Sequence, residues 1–169
     1  FPPGELKGVD VMERLRADGC YWPYACYDEA GRLLAYAFLC GLPGEPNVLL
    51  DYYAVLPAVR CRGLGAELLA RLRGVCAGRW QGILIEAEDP AEAPDEGLAI
   101  RRLGFYTRAG ARVHYRLFCL PCAEKDAPAA EDDALVGSLA RLYHEMVPGP
   151  LYGPNVAFWR ADAQRPAFG

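Results

Sequence analysis

The sequence is poor in the features that mark metal, membrane or nucleic-acid proteins. It has only two histidines, His114 and His144, each standing alone. Its one Cys-x-x-Cys, Cys119 to Cys122, lacks a second ligand pair at suitable spacing, so no metal site is expected. No apolar run approaches the roughly 18 residues that cross a bilayer, and no charged-then-apolar leader is present. A cytoplasmic protein with no membrane partner is the expectation. Basic residues are not in excess: 18 Lys and Arg against 22 Asp and Glu leave a net charge of −4. That balance argues against a general nucleic-acid binder, so any cationic site must be local. Seven cysteines are an odd count, scattered mostly through apolar segments, and read as reduced core residues rather than a disulfide framework. Repeats and low-complexity tracts are missing too.

What is present is an ordinary globular balance, 53% hydrophobic against 24% charged residues over 169 positions, which predicts one domain with a buried core. Glycine (18) and proline (14) are frequent enough to imply many turns between short elements of a mixed α/β (α+β) fold. Leu6, Val9, Met12 and Leu15 recur at near-helical spacing within residues 5–17, with Gly19 as a stop. Residues 21–27 and 32–40 are aromatic and apolar strands. Between them Asp28-Glu29-Ala30-Gly31 makes a hairpin turn in which Gly31 can take a positive φ. Tyr21, Trp22, Tyr24 and Tyr27 in the first strand suit core packing or the lining of an acceptor pocket. A third strand covers residues 47–56. Leu68, Leu69, Leu72 and Val75 mark a helix over 66–77. Beyond it come a strand at 83–88, a helix at 96–109 capped by Asp95, a strand region at 111–122 and a polar linker at 123–130. A last helix from Asp132 carries Leu135, Leu139, Leu142, Tyr143 and Met146, and residues 156–159 suit an edge strand.

The informative segment is the turn Arg60-x-x-Gly63-x-Gly65 between the third strand and its helix. Glycines let a backbone approach a ligand closely, and the first N–H groups of a helix have no partner inside it. Aimed at an anion, those donors and the helix dipole form a pyrophosphate cradle, to which Arg60 and Arg62 add local positive charge. The alternative is a plain glycine-rich surface turn. A P-loop would need Lys and then Ser or Thr after its last glycine, whereas Ala66 and Glu67 follow Gly65. A dinucleotide fingerprint is a nearer rival, but Leu68 stands where its third small residue belongs.

The stretch Leu49-Leu50-Asp51-Tyr52-Tyr53-Ala54-Val55-Leu56-Pro57, leading into Arg60-Cys61-Arg62-Gly63-Leu64-Gly65, resembles the GNAT superfamily of acetyl-coenzyme A-dependent N-acetyltransferases and its Arg/Gln-x-x-Gly-x-Gly/Ala pattern. A second match is Leu103-Gly104-Phe105-Tyr106-Thr107-Arg108-Ala109-Gly110-Ala111, similar to the family's Phe-Tyr-x-x-x-Gly-aromatic ending, with Ala111 in place of the aromatic. The resemblance covers residues 21–120. It implies a mixed, mostly antiparallel sheet flanked by helices in one domain over 1–169, with its core at about 21–122 and a C-terminal helix and edge strand at 131–160. It also implies that the family's opening strand and first helix lie before Phe1, and that residues 111–122 are short for the two closing strands.

By the same resemblance, Val55 bonds the pantetheine arm of acetyl-CoA and the backbone around Arg62, Gly63, Leu64, Gly65 and Ala66 holds the pyrophosphate. Tyr106 faces the thioester sulfur. Acyl transfer to an amine needs an acid for the departing thiolate, and a phenol of pKa about 10 suits that step. It also needs a base for the acceptor ammonium, and Asp51, Glu86 and Glu88 are the candidates. Strand alternation puts Asp51 on one face with Tyr53 and Val55, and Glu86 with Glu88 on the next strand. Glu86 leads, because an acid inside an apolar strand needs an explanation. Cys61, between two arginines, suits a mixed disulfide with coenzyme A or a plain loop position. The expected activity is N-acetylation of a small-molecule or peptide amine, with a homodimer possible. The alternatives are a non-catalytic acyl-CoA sensor and a protein-interaction module built on the last helix and Leu151-Tyr152.

Overall fold

The computed structural model describes residues 6–114, 117–122 and 132–147. The elements follow the predicted order: α1 (Val9–Ala17), β1 (Tyr21–Tyr27), β2 (Leu33–Cys40), β3 (Asn47–Val55), a 3₁₀ turn (Pro57–Val59), α2 (Leu64–Cys76), β4 (Gly82–Glu86), α3 (Glu96–Arg108), β5 (Arg112–His114), β6 (Leu117–Pro121) and α4 (Asp132–Met146). They build a six-stranded sheet in the order β1-β2-β3-β4-β6-β5. Every neighbouring pair is antiparallel except β3 and β4, the two strands that α2 connects. A parallel pair requires such a crossover, which is why the helix-forming run at 64–76 stands between them. The linker at 123–130 and the edge strand at 156–159 lie outside the described residues, as does the Leu151-Tyr152 segment.

Alternation divides the core between the two faces of the sheet. Val48, Leu50, Ile83 and Ile85 pack with Leu68, Leu69 and Leu72 of α2, while Leu49 and Leu84 pack with Leu15 of α1 and Leu135, Leu139, Leu142 and Met146 of α4. Gly31 takes φ +75° in the β1–β2 turn, as its position predicts.

Several boundaries differ from the sequence reading. α1 starts at Val9, with Gly8 as its N-cap, so Leu6 and Lys7 precede the helix instead of belonging to it. α2 starts at Leu64, immediately after Gly63 turns the chain at φ +79°. β4 stops at Glu86, and Glu88 falls in the following loop, so the two acids do not share a strand face. The region 111–122 holds two strands, with β6 against β4 and β5 outside it. The closing pair is present in shortened form.

Candidate active site

β3 and β4 pair only through Asn47–Gly82, Val48–Ile83 and Leu49–Leu84. β3 then runs on to Val55 while β4 ends at Glu86, so the two strands part and open a cleft in the sheet. A β-bulge lies where they part. Leu39 faces Leu50 across the β2–β3 ladder and Phe38 faces Tyr52, so Asp51 is the extra residue. Such an insertion bends the strand and resets its alternation.

That reset corrects one expectation. Asp51 does not share a face with Tyr53 and Val55: the last two pack on the α2 and α3 side, whereas Asp51 bonds residues of the opposite face. The cleft therefore has two chemically different sides.

On the α2 side, the helix begins at the cleft mouth without a side-chain cap on its N-cap Gly63. Its first N–H groups have no helical acceptors, and the helix dipole adds positive potential there. Gly65 leaves room above Tyr53 and Val55, and a Cβ built on it lies 3.4 Å from the Tyr53 hydroxyl and 3.5 Å from Val55 Cγ2. These are ordinary contacts. Arg62 is exposed. Arg60 turns back so that Nε donates to the Val55 carbonyl at 3.0 Å, tying the loop to the strand end. Cys61 is an exposed free thiol held at φ +62°. The glycine turn, Leu64 and Ala66 thus surround one uncapped helix start, which fits a bound anion such as a pyrophosphate.

Tyr53 donates from its hydroxyl to the Gly65 carbonyl, and its ring stacks on Phe105 at 6.3 Å. Phe105 in turn meets Tyr106 edge-on at 5.2 Å. Tyr106 is only 6% exposed, and burial raises its pKa, with Arg102 opposing, so its phenol holds its proton at neutral pH. The N-terminus of α3 is set by Asp95, whose carboxylate accepts from Leu98 N at 2.8 Å. Glu88 pairs with Arg102 of α3 at 2.8 Å, which makes it a salt-bridged loop acid.

On the α1 and α4 side lies a polar cluster. The Asp51 side chain, 7% exposed, accepts from Lys7 Nζ on one oxygen and from the Tyr21 hydroxyl on the other, both at 2.5 Å. Lys7 also donates through its backbone N–H to the Tyr52 hydroxyl at 2.8 Å, and its ammonium lies 5.3 Å from the Tyr52 ring centre. Glu86 accepts a hydrogen bond from the Tyr143 hydroxyl. Glu86 is exposed at the end of β4, yet sheet and helix crowd its carboxyl, and this desolvation raises its pKa. The Asp51 charge acts the same way, while Tyr143 and Lys7 oppose. Asp51 and Glu86 therefore stand close enough for their charges to interact, and of the two Glu86 is the more exposed.

Sequence reasoning missed Lys7, Tyr21 as an Asp51 ligand, Tyr52, Tyr53 and Tyr143. Local pattern held no signal for these pairings, which join residues 12 to 57 positions apart. Trp22 and Tyr24 of the aromatic run pack on the main core, whereas Tyr27 is exposed. Among the described residues no group of three or more His, Cys, Asp or Glu side chains could hold a metal ion, and no helix is long and apolar enough to cross a membrane. Burial pushes the Cys40 thiol up to about 12, with Asp51 adding to it, and His144 lies exposed on α4.

The model of the acetyltransferase (GNAT) family matches residues 3–105. No curated protein matches the chain. Among solved structures, a GNAT-family acetyltransferase from Bacteroides thetaiotaomicron superposes with a TM-score of 0.62 at 20% identity, over 88% of this chain and 86% of that one. A dodecameric spermidine N-acetyltransferase from Vibrio cholerae gives 0.55 at 9% identity, over 72% and 76%. A GNAT-family protein from Desulfovibrio desulfuricans gives 0.50 at 24%, over 68% and 78%. At these identities the structures share the fold.

Proposed function

The chain belongs to the GNAT family of acetyltransferases, and we propose that it moves the acetyl group of acetyl-CoA to an amine by direct attack on the thioester. The observation that carries this reading is the parting of β3 and β4 after Leu49 and Leu84, beside an uncapped α2 N-terminus and a carboxylate.

Acetyl-CoA supplies an activated acyl carbon. The backbone amides from Gly63 to Ala66 hold the pyrophosphate, with Arg62 and the loop shaped by Arg60 beside them. Val55, at the free end of β3, faces the pantetheine arm. The acceptor enters from the α1 and α4 side, where Glu86 takes a proton from its ammonium. Asp51 contributes negative charge behind Glu86 while both its oxygens remain engaged. The neutral amine attacks the carbonyl carbon, a C–N bond forms, and the C–S bond breaks. Tyr106 gives its proton to the departing thiolate and regains, through solvent, the one that the amide nitrogen releases, while Glu86 passes its own to water. The raised pKa suits Glu86, because the base then lies nearer neutrality, while at Tyr106 it keeps the phenol protonated but makes it a weaker acid.

A panel of primary amines and Lys-containing peptides, assayed by release of free coenzyme A thiol, tests the reading. Turnover by the native chain that collapses in Glu86→Gln supports it. Tight binding of acetyl-CoA without turnover of any amine would instead favour a sensor.

A further inference from the structure

The family match ends at residue 105, yet a helix well beyond it reaches the candidate base. α4 is fixed at two places. Leu135, Leu142 and Met146 are fully buried against the sheet, and on another side Arg141 and Ser138 both bond the Glu45 carboxylate at the entry to β3. With the helix register set this way, Tyr143 has little freedom to place its hydroxyl elsewhere, and that hydroxyl donates to Glu86 Oε2. Burial and the neighbouring Glu86 charge both raise the Tyr143 pKa, so it donates at every working pH.

We infer that Tyr143 is a positioning residue for acyl transfer: it holds one oxygen of Glu86 and so turns the other toward the acceptor amine. The inference rests on Glu86 being the proton acceptor. Neighbouring charges are Asp51 from β3 and Lys7 from the segment before α1, with the Tyr52 hydroxyl nearby; Lys7 and Tyr21 bond Asp51, while Tyr143 supplies a side-chain hydrogen bond that lowers the Glu86 pKa.

The test follows the Glu86 carboxyl by ¹³C NMR in protein labelled at the glutamate side-chain carbon, with the signal assigned by its loss in Glu86→Gln. Tyr143→Phe keeps the ring and removes one donor to the charged carboxylate. The Glu86 pKa should rise by about half to one unit, the range expected for one partly exposed hydrogen bond to a charge. With putrescine, tyramine and glycinamide as probe amines, kcat should fall and the acid limb of its pH profile should move up by the same amount. KM for acetyl-CoA should stay within about twofold. In a Glu86→Gln background the same substitution should change neither kcat nor the profile. Tyr143→Leu, which removes ring and hydroxyl, should shift the NMR titration at least as far. An unmoved Glu86 titration in both Tyr143 variants overturns the inference while leaving Glu86 as base. Full turnover by Glu86→Gln overturns the base assignment and the inference together.

Discussion

The Tyr53 hydroxyl, on β3, donates to the carbonyl of Gly65 in the first turn of α2. This one bond couples the strand that lines the cleft to the helix start that faces its mouth. Removing it by Tyr53→Phe keeps the ring stacked on Phe105. Stability should fall by about 0.5–1.5 kcal/mol, the usual net worth of such a bond, read by chemical denaturation. Affinity for coenzyme A should also weaken, while pantetheine, which lacks the nucleotide half, should bind both proteins alike. Equal coenzyme A affinity by calorimetry would show that the tie does not orient the helix.

The two glycines of the turn should respond differently. Gly63 sits at φ +79°, where a Cβ costs roughly 1–2 kcal/mol, so Gly63→Asp adds strain and negative charge at the proposed anion site. Coenzyme A binding should be lost. Gly65→Ala meets only ordinary contacts, the nearest at 3.4 Å, and should leave affinity within a few-fold. Calorimetry on both variants checks the contrast, and equal losses would contradict it.

Tyr106→Phe should leave the fold and cofactor affinity nearly unchanged, since the buried ring remains. A positioned acid is worth about 10²–10⁴-fold, so kcat should drop by that order while KM for acetyl-CoA moves less. Single-turnover measurement must show chemistry limiting. A loss under about twofold would return Tyr106 to a packing role.

Glu86 should cost the fold stability at neutral pH. Its folded pKa is raised above the unfolded value, so the folded state binds the proton more tightly, and that advantage is present at low pH and lost as pH rises through the folded pKa. Glu86→Gln, which cannot ionise, should therefore unfold at a higher temperature than the native chain near pH 7. The gain should vanish near pH 4. Thermal scans across that window supply the measurement, and a gain that persists unchanged at pH 4 would rule out ionisation as its cause.

Acceptors should be cationic. Glu86 is exposed, and the Asp51 charge near it is only partly offset by Lys7, so amines bearing a second positive charge should outrank amines bearing a carboxylate in an unbiased screen. A strongly anionic best acceptor would contradict the charge argument.

The order of elements, the hairpin at Gly31, the glycine turn before α2 and the Asp95 cap were legible because each depends on neighbours a few residues apart. Alternation, helical spacing and positive-φ glycines are local physics. The two motifs that point to the GNAT family are local as well, and they single out the glycine turn and Tyr106. The side of the sheet that carries Asp51 and Glu86 was not legible in this way. A single inserted residue at Asp51 reverses which side chains face the cleft, and nothing in the strand's apolar pattern announces it. Whether Glu86 and Glu88 share a strand face depended on where β4 ends against β6. Lys7, Tyr21 and Tyr143 reach the carboxylates from three separate elements, and packing alone brings them there. The chain's own order thus determined a fold and a glycine turn at a helix start, while the bulge and the docking of α1 and α4 decided that Lys7 and Tyr21 enclose Asp51 and that Glu86 stays exposed.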